Sequence, residues 1–258
     1  MYRNIEELAL NGWPALQTTL MDGWLLRTAE GYTKRSNSVS PLYGGGEDST
    51  EVIRKRIRAA EQFYRTAGQD AIFKITPFAQ PEILDMLLQE DGYDKVEPSS
   101  VRLLDAEAFP EPGKLWPEFE MRLEEVLSDR WLHNMANLNQ LSEPALETTR
   151  KLVVGSLQRK CFATLSVQGE PAACGLAVLE RGYIGLYDIV VHPARRSRGI
   201  GQELITQLLQ WGKAVGADAC YLQVVQSNTP ANRLYDKLGF KEIYSYWYRV
   251  KRSGSNEL

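Results

Sequence analysis

The chain has 258 residues, 43 % hydrophobic and 24 % charged, with a formal net charge of −3. These are globular proportions, with enough apolar residues for one large core or two smaller ones, and so small a net charge makes no general case for nucleic acid or an anionic membrane as partner. Two histidines, His133 and His192, exclude a histidine-rich metal site. Cys161, Cys174 and Cys220 form no C-x-x-C pair and sit in apolar, strand-like surroundings. They read as buried thiols in a reducing compartment. Without a basic-then-apolar leader or an apolar run near ~18 residues, the expected location is the cytoplasm.

Residues 4–10 read as an acidic helix with Asn4 as N-cap, ended by Asn11-Gly12. Residues 23–29 and 32–39 alternate as a hairpin around Glu30-Gly31. Pro41 ends the second strand, and the glycines at 44–46 make a loose loop. Asp48 or Ser49 caps a helix over 50–66, with Ile53, Ile57, Ala60 and Tyr64 on its apolar face. A short strand follows at 71–75, then a helix over 82–90 with Pro81 in its first turn, then residues 95–104 as one strand or as two short ones interrupted at Pro98. Residues 106–117, with Pro110, Pro112, Pro117 and Gly113, are the best linker candidate.

Beyond it, 118–123 suits a strand. Two helices follow over 128–141 and 143–157, with Ser142 capping the second. Residues 161–167 and 172–179 pair about Gln168-Gly169. A strand at 183–191 leads into a helix at 200–215, a strand at 219–225, a short helix at 230–238 and an aromatic strand at 240–250. The polar tail from Ser253 is expected to fray.

The two halves match. Gly68 corresponds to Gly216, Gly92-Tyr93 to Gly239-Phe240, and Val39-x-Pro41 to Val191-x-Pro193, at offsets of about 150 residues. Two copies of one α/β unit follow: residues 1–105, a linker at 106–117, and residues 118–252.

Chemistry concentrates between Val190 and Leu204. A β-branched strand stops at Pro193, a basic segment with Gly199 and Gly201 follows, and a helix begins. Convergent amides at a helix N-terminus favour an anion. A P-loop is excluded because Gln202 follows Gly201, and a dinucleotide fingerprint because its third glycine position holds Leu204. Arg196-x-x-Gly199-x-Gly201 after Val-x-Pro resembles the acetyl-coenzyme A (acetyl-CoA) motif of the GNAT acetyltransferase superfamily. Downstream, Asn228-x-x-Ala231-x-x-x-Tyr235-x-x-x-Gly239-Phe240 is similar to the second signature of that superfamily. The resemblance covers 118–250 well, and 1–105 only as a diverged copy.

It implies an α/β (α+β) tandem fold with mixed central sheets flanked by helices, an intact C-terminal half and a degenerate N-terminal half. It also implies an N-acetyltransferase that uses acetyl-CoA, with no metal, and moves the acetyl group directly to a primary amine. By resemblance Tyr235 is the general acid at the coenzyme sulfur. Val190, Val191, Arg196, Ser197, Arg198, Gly199, Ile200, Gly201 and Asn228 hold the coenzyme. Asn228 bonds the pantetheine or caps its helix, two compatible roles. Asp188, on the strand entering the cradle, is the leading candidate base, ahead of Glu180 and Asp218. In the N-terminal copy, Glu47 and Asp48 replace the arginines and would repel a pyrophosphate, so one active site per chain is expected. Arg35 and Asn37 are candidates for the acceptor, a small amine or amino-acid-like molecule. No nucleic acid or membrane partner is expected, and the chain is a monomer or homodimer. The other class open to this sequence is an acyl-CoA-binding module that acts as sensor or scaffold without turnover.

Overall fold

A computed structural model describes residues 2–44, 49–111, 113 and 117–251. The elements run α1 (Arg3–Gly12), β1 (Gln17–Met21), β2 (Trp24–Thr28), β3 (Val39–Ser40), α2 (Thr50–Thr66), β4 (Ile72–Ile75), α3 (Leu84–Glu90) and β5 (Asp94–Asp105). The second half continues β6 (Phe119–Glu124), α4 (Asp129–Asn139), α5 (Glu143–Gly155), β7 (Arg159–Val167), β8 (Glu170–Glu180), β9 (Tyr183–Val191), α6 (Ile200–Ala214), β10 (Ala219–Val225), α7 (Thr229–Lys237) and β11 (Lys241–Val250). The Ser142 cap is present, its hydroxyl accepting from the Ala145 amide at 3.4 Å. Asn4 lies inside its helix rather than capping it. The expected cap at Asp48, the glycine run at 45–46, Pro112 and the tail from Ser253 lie outside the described residues.

Among the described residues, eleven strands form one mixed sheet, in the order β1-β2-β3-β4-β11-β5-β10-β9-β8-β7-β6. Of their pairings only β3–β4 and β9–β10 are parallel, and these are matching positions in the two copies. The last strand of each copy has changed places. β11, from the second copy, lies between β4 and β5, while β5, from the first, pairs with β10. The stretches 1–105 and 118–252 therefore share strands rather than forming separate sheets. β5 runs unbroken through Pro98. A register shift between Tyr246 and Tyr248 and a positive φ of 50° at Glu97 absorb the missing donor.

The hairpin expected between 23–29 and 32–39 forms only at its far end, where β2 pairs antiparallel with Val39–Ser40 of β3; the other edge of β2 pairs with β1, through Asp22-Gly23, whose φ values of +46° and +83° make the turn. Residues 34–36 are a single 3-10 turn.

Alternation along the strands sorts the core. Tyr221 faces a cluster under α1, α4 and α5, built on Ile5, Leu8, Trp131, Leu132 and Tyr187. Cys220 and Leu222 face the other side, where Leu204, Leu208 and Leu209 of α6 seat. On that same side of the first copy, Ile53, Ile57 and Tyr64 of α2 cover Phe73 and Ile75. Helix α1 crosses between the copies. It touches β8 and β9, while its fully buried Glu6 pairs with Lys74 of β4 and accepts from the Tyr244 hydroxyl of β11 at 2.8 Å.

Candidate functional site

The parallel pair β9–β10 is registered only from Ala219↔Tyr183 to Leu222↔Leu186. Past that point the strands part, because β9 bulges. Its pairing with β8 skips between Leu176↔Tyr187 and Cys174↔Val190, and Asp188 adopts a φ of +48°. Ile189 turns onto Gly175, where a Cβ would lie 2.7 Å from its Cδ1, and Asp188 turns into the opening. The His192 amide donates to Ala172 of the β8 side at 2.8 Å. Backbone groups alternate along a strand, so the Val191 amide faces the gap.

At the end of β9 the chain makes a short 3-10 turn over Pro193–Arg195. Ser197 (φ 62°) and Gly199 (φ 77°) then take left-handed conformations before α6 begins. The first-turn amides of α6 have no intrahelical acceptor and face the same end of the sheet. Gly199 has open space around it, which backbone amides need to reach a phosphate. Gly201 serves close packing: a Cβ there would meet Leu234 Cδ2 at 3.2 Å and Val191 Cγ2 at 3.3 Å. The Arg196 Nε donates to the Val191 carbonyl at 3.2 Å and braces the strand end. This chain's own residues thus fit a coenzyme A arm and pyrophosphate, with Val190 and Val191 along the gap and 196–201 at its mouth.

A cleft of about 510 Å³ opens beside the gap. Asp188, Asn228, Tyr235 and Arg35 all line it, with Tyr32, Gln223, Tyr246 and Tyr248. Asn228 caps α7, its side chain accepting from the Ala231 amide at 3.3 Å, so the capping role is realised. Tyr235 is 7 % exposed and packs edge-on against Phe240 at 5.8 Å. Burial pushes its phenol up to about 12, partly offset by Arg102. Arg102, on β5, donates to Asp236 at 2.6 Å and to Asn232 at 2.9 Å. A strand of the first copy thereby holds the helix that carries Tyr235.

The Asp188 side chain is 13 % exposed. Burial raises its pKa, and Arg35, whose guanidinium lies 3.7 Å away, pulls it back. Burial and the Asp188 carboxylate push the Tyr32 phenol up in turn. Arg35 lies over Trp13 at 4.9 Å and Tyr187 at 5.9 Å. Its backbone is fixed by buried Arg27, which donates to the carbonyls of Arg35, Leu10 and Trp13 at 2.6–3.0 Å.

Asn37 does not join them. It is 4 % exposed. Its Oδ1 accepts from the Ala29 and Gly31 amides, and its Nδ2 donates to the Thr33 and Ala29 carbonyls. All its capacity is used within the loop that presents Arg35, so the expected contact with the acceptor is replaced by a structural role. The other candidate bases lie elsewhere: Glu180 bonds Asn11, and Asp218 sits against Gly182. Arg102, Tyr246 and Tyr248 carry no local motif, because the strand exchange brings β5 and β11 here, and Gln223 is one position of β10 with no motif around it. Among the described residues no helix is long and apolar enough to cross a membrane.

A sheet opened between two parallel strands over a helix that starts at a left-handed glycine is the architecture of the GNAT acetyltransferases, here present as a tandem. The chain belongs to the family described as "Probable histone acetyltransferase Rv0428c C-terminal", whose model matches residues 1–249. It is 30 % identical over 250 residues to "Uncharacterized N-acetyltransferase YobR" of Bacillus subtilis, covering 97 % of this chain and 98 % of the relative. Solved structures share the fold. A GCN5-related N-acetyltransferase from Kribbella flavida has a TM-score of 0.75 at 14 % identity, over 98 % of this chain and 96 % of its own. A tandem GNAT protein from the clavulanic acid biosynthesis pathway has a TM-score of 0.71 at 13 % identity, over 98 % and 89 %. The chain is a GNAT-type acetyltransferase, an enzyme class that uses acetyl-CoA and acts on amine acceptors.

Proposed function

We propose that this enzyme transfers acetyl directly from acetyl-CoA to the primary amine of a small, amino-acid-like acceptor bound in the 510 Å³ cleft. The observation that carries the reading is that Asp188 of β9 and Tyr235 of α7 line one cleft at the gap between β9 and β10. The acetyl-CoA supplies an activated thioester. The amine must be neutral to attack, and Asp188 is the base that takes its proton. The N–C bond forms, the C–S bond breaks, the leaving thiolate receives a proton from Tyr235, and the nitrogen's second proton restores Tyr235 while Asp188 releases the first to solvent. At about 12 the Tyr235 phenol remains protonated at neutral pH. The thiolate, which ordinarily has a pKa near ~8.5, is desolvated in the same dry setting, and this narrows the gap between the two groups.

Direct transfer is also supported by the cysteines. All three are buried, and burial pushes the Cys161 and Cys174 thiols up to about 12 and Cys220 higher than its ordinary value. None is a thiolate nucleophile at neutral pH.

The test is acetyl-CoA turnover against a panel of small amines, following free thiol and N-acetyl product together. The reading expects the two in one-to-one ratio with at least one small primary amine. Transfer confined to intact proteins, with every small amine inert, contradicts it.

A further inference from the structure

On the cleft wall the buried Asp188 Oδ2, Gln223 Nε2 and Tyr248 hydroxyl make no well-formed hydrogen bond with the described residues, the Tyr248 hydroxyl meeting only that of Tyr246 outside good hydrogen-bond geometry. A buried polar atom without a partner is costly and uncommon. Several on one cleft wall make an incomplete set of the kind a ligand completes.

The Gln223 amide is built to present its donors. Its Oε1 accepts from the Tyr246 hydroxyl at 3.2 Å, which leaves Nε2 turned the other way. Tyr246 is itself held, with the Lys74 ammonium 4.1 Å from its ring centroid. Lys74 is fixed by its ion pair to fully buried Glu6, and Glu6 also takes the Tyr244 hydroxyl at 2.8 Å. Tyr248, 3 % exposed, packs edge-on against Tyr246 at 5.6 Å.

Charge decides what this set reads. The charged side chains on the cleft wall are Lys34, Arg35, Glu97 and Asp188. Lys34 pairs with Glu97 at 2.5 Å, and Arg35 faces Asp188 at 3.7 Å. Each cation already has its carboxylate. A free carboxylate on the acceptor would have to draw Arg35 away from Asp188, whose ionised form Arg35 supports, whereas a neutral carbonyl leaves that pair in place. A plain alkylamine would leave Gln223 Nε2 and the Tyr248 hydroxyl unsatisfied.

We infer that the acceptor carries a neutral carbonyl oxygen beside its amine, as in an aminoacyl amide, and that Gln223 Nε2 and the Tyr248 hydroxyl donate to this oxygen while Asp188 Oδ2 takes the amine. The inference rests on the amine-acetylating reading above and narrows it to one acceptor class. Gln223 and Tyr248 become specificity determinants, contributed by β10 and by the exchanged strand β11.

The test pairs alaninamide, leucinamide and phenylalaninamide with ethylamine, 3-methylbutylamine and 2-phenylethylamine, the same amines without the carboxamide. The kcat/KM ratio of amide to amine is measured in the wild type, in Gln223→Met and in Tyr248→Phe, which keeps the buried ring. Comparing ratios between proteins cancels the different basicities of the amines. Each variant is expected to lower the best ratio about tenfold, one buried hydrogen bond's worth, with the acetyl-CoA Kd unchanged. The N-acetyl amide product is expected to inhibit the wild type at least about tenfold better than the corresponding N-acetyl amino acid, since the carboxylate of the latter would have to draw Arg35 away from Asp188. Ratios equal in all three proteins, or equal inhibition by the two products, overturn the inference and leave amine acetylation standing. No transfer to any of the six amines overturns the small-amine reading, and this inference with it.

Discussion

The Arg35 guanidinium lies 3.7 Å from the Asp188 carboxylate, and the two residues come from opposite halves of the chain. Arg35 opposes the upward shift that burial imposes on Asp188. A base works only when ionised, so kcat/KM falls as pH drops through the Asp188 pKa. Arg35→Gln removes the opposing charge and moves this acidic limb to higher pH. Asp188→Asn removes the limb and lowers kcat/KM about 10²-fold or more. A pH–rate profile checks both.

The same shift has a stability consequence. An acid whose folded pKa is raised contributes stability below its unfolded value, about 3.9, and loses it as pH rises through the folded value. Once ionised, the incompletely bonded Asp188 is therefore a cost. Asp188→Asn is expected to raise the melting temperature at pH near 7 by the equivalent of about 1 kcal/mol, and this gain shrinks toward pH ~4. Calorimetry at the two pH values measures it.

The glycines of the cradle separate by role. Gly199→Ala meets no neighbour but must hold a φ of 77°, which costs about 1 kcal/mol and disturbs the amides. Its effect is expected in the acetyl-CoA Kd. Gly201→Ala pushes on Leu234, the residue before Tyr235, and on Val191, so its effect is expected in kcat as well. Isothermal titration and steady-state rates distinguish the two.

Local signals account for much of the site. Asn228, Gly199 and Tyr235 are legible because each acts within a few residues of its own turn or helix, and the bulge gives Asp188 its place on a strand already identified. The extent of the hairpin was misjudged because residues 32–39 alternate, yet Asn37 engages the Ala29 and Gly31 amides and rolls that stretch into a turn. The true signal lay earlier, in Asp22-Gly23. Arg102, Gln223, Tyr246 and Tyr248 were not legible as site residues at all. The place of Arg102, Tyr246 and Tyr248 depends on β5 and β11 exchanging partners, and either pairing satisfies the same alternation; Gln223, on β10, is marked only by the Tyr246 that the exchange sets beside it.

That exchange predicts one folding unit. Fragment 118–258 alone leaves β10 without β5 and β11 without both of its neighbours. Such open edges favour aggregation. The account expects the fragments 1–117 and 118–258 to be insoluble or unfolded singly and to co-purify when co-expressed, and the intact chain to melt in one calorimetric transition. Two independent transitions contradict it. Within this unit, Lys74→Met strips buried Glu6 of its cation and is expected to destabilise by about 3–5 kcal/mol, read from denaturant unfolding.

In the proposed reaction Tyr235 protonates the leaving thiolate in the cleft where Asp188 receives the amine. Tyr235→Phe keeps the buried ring against Phe240 and removes only the hydroxyl. Turnover and acetyl-CoA affinity are to be measured side by side. The expected result is a fall in kcat of about 10²-fold or more, with the acetyl-CoA Kd essentially unchanged. Wild-type turnover in Tyr235→Phe contradicts it.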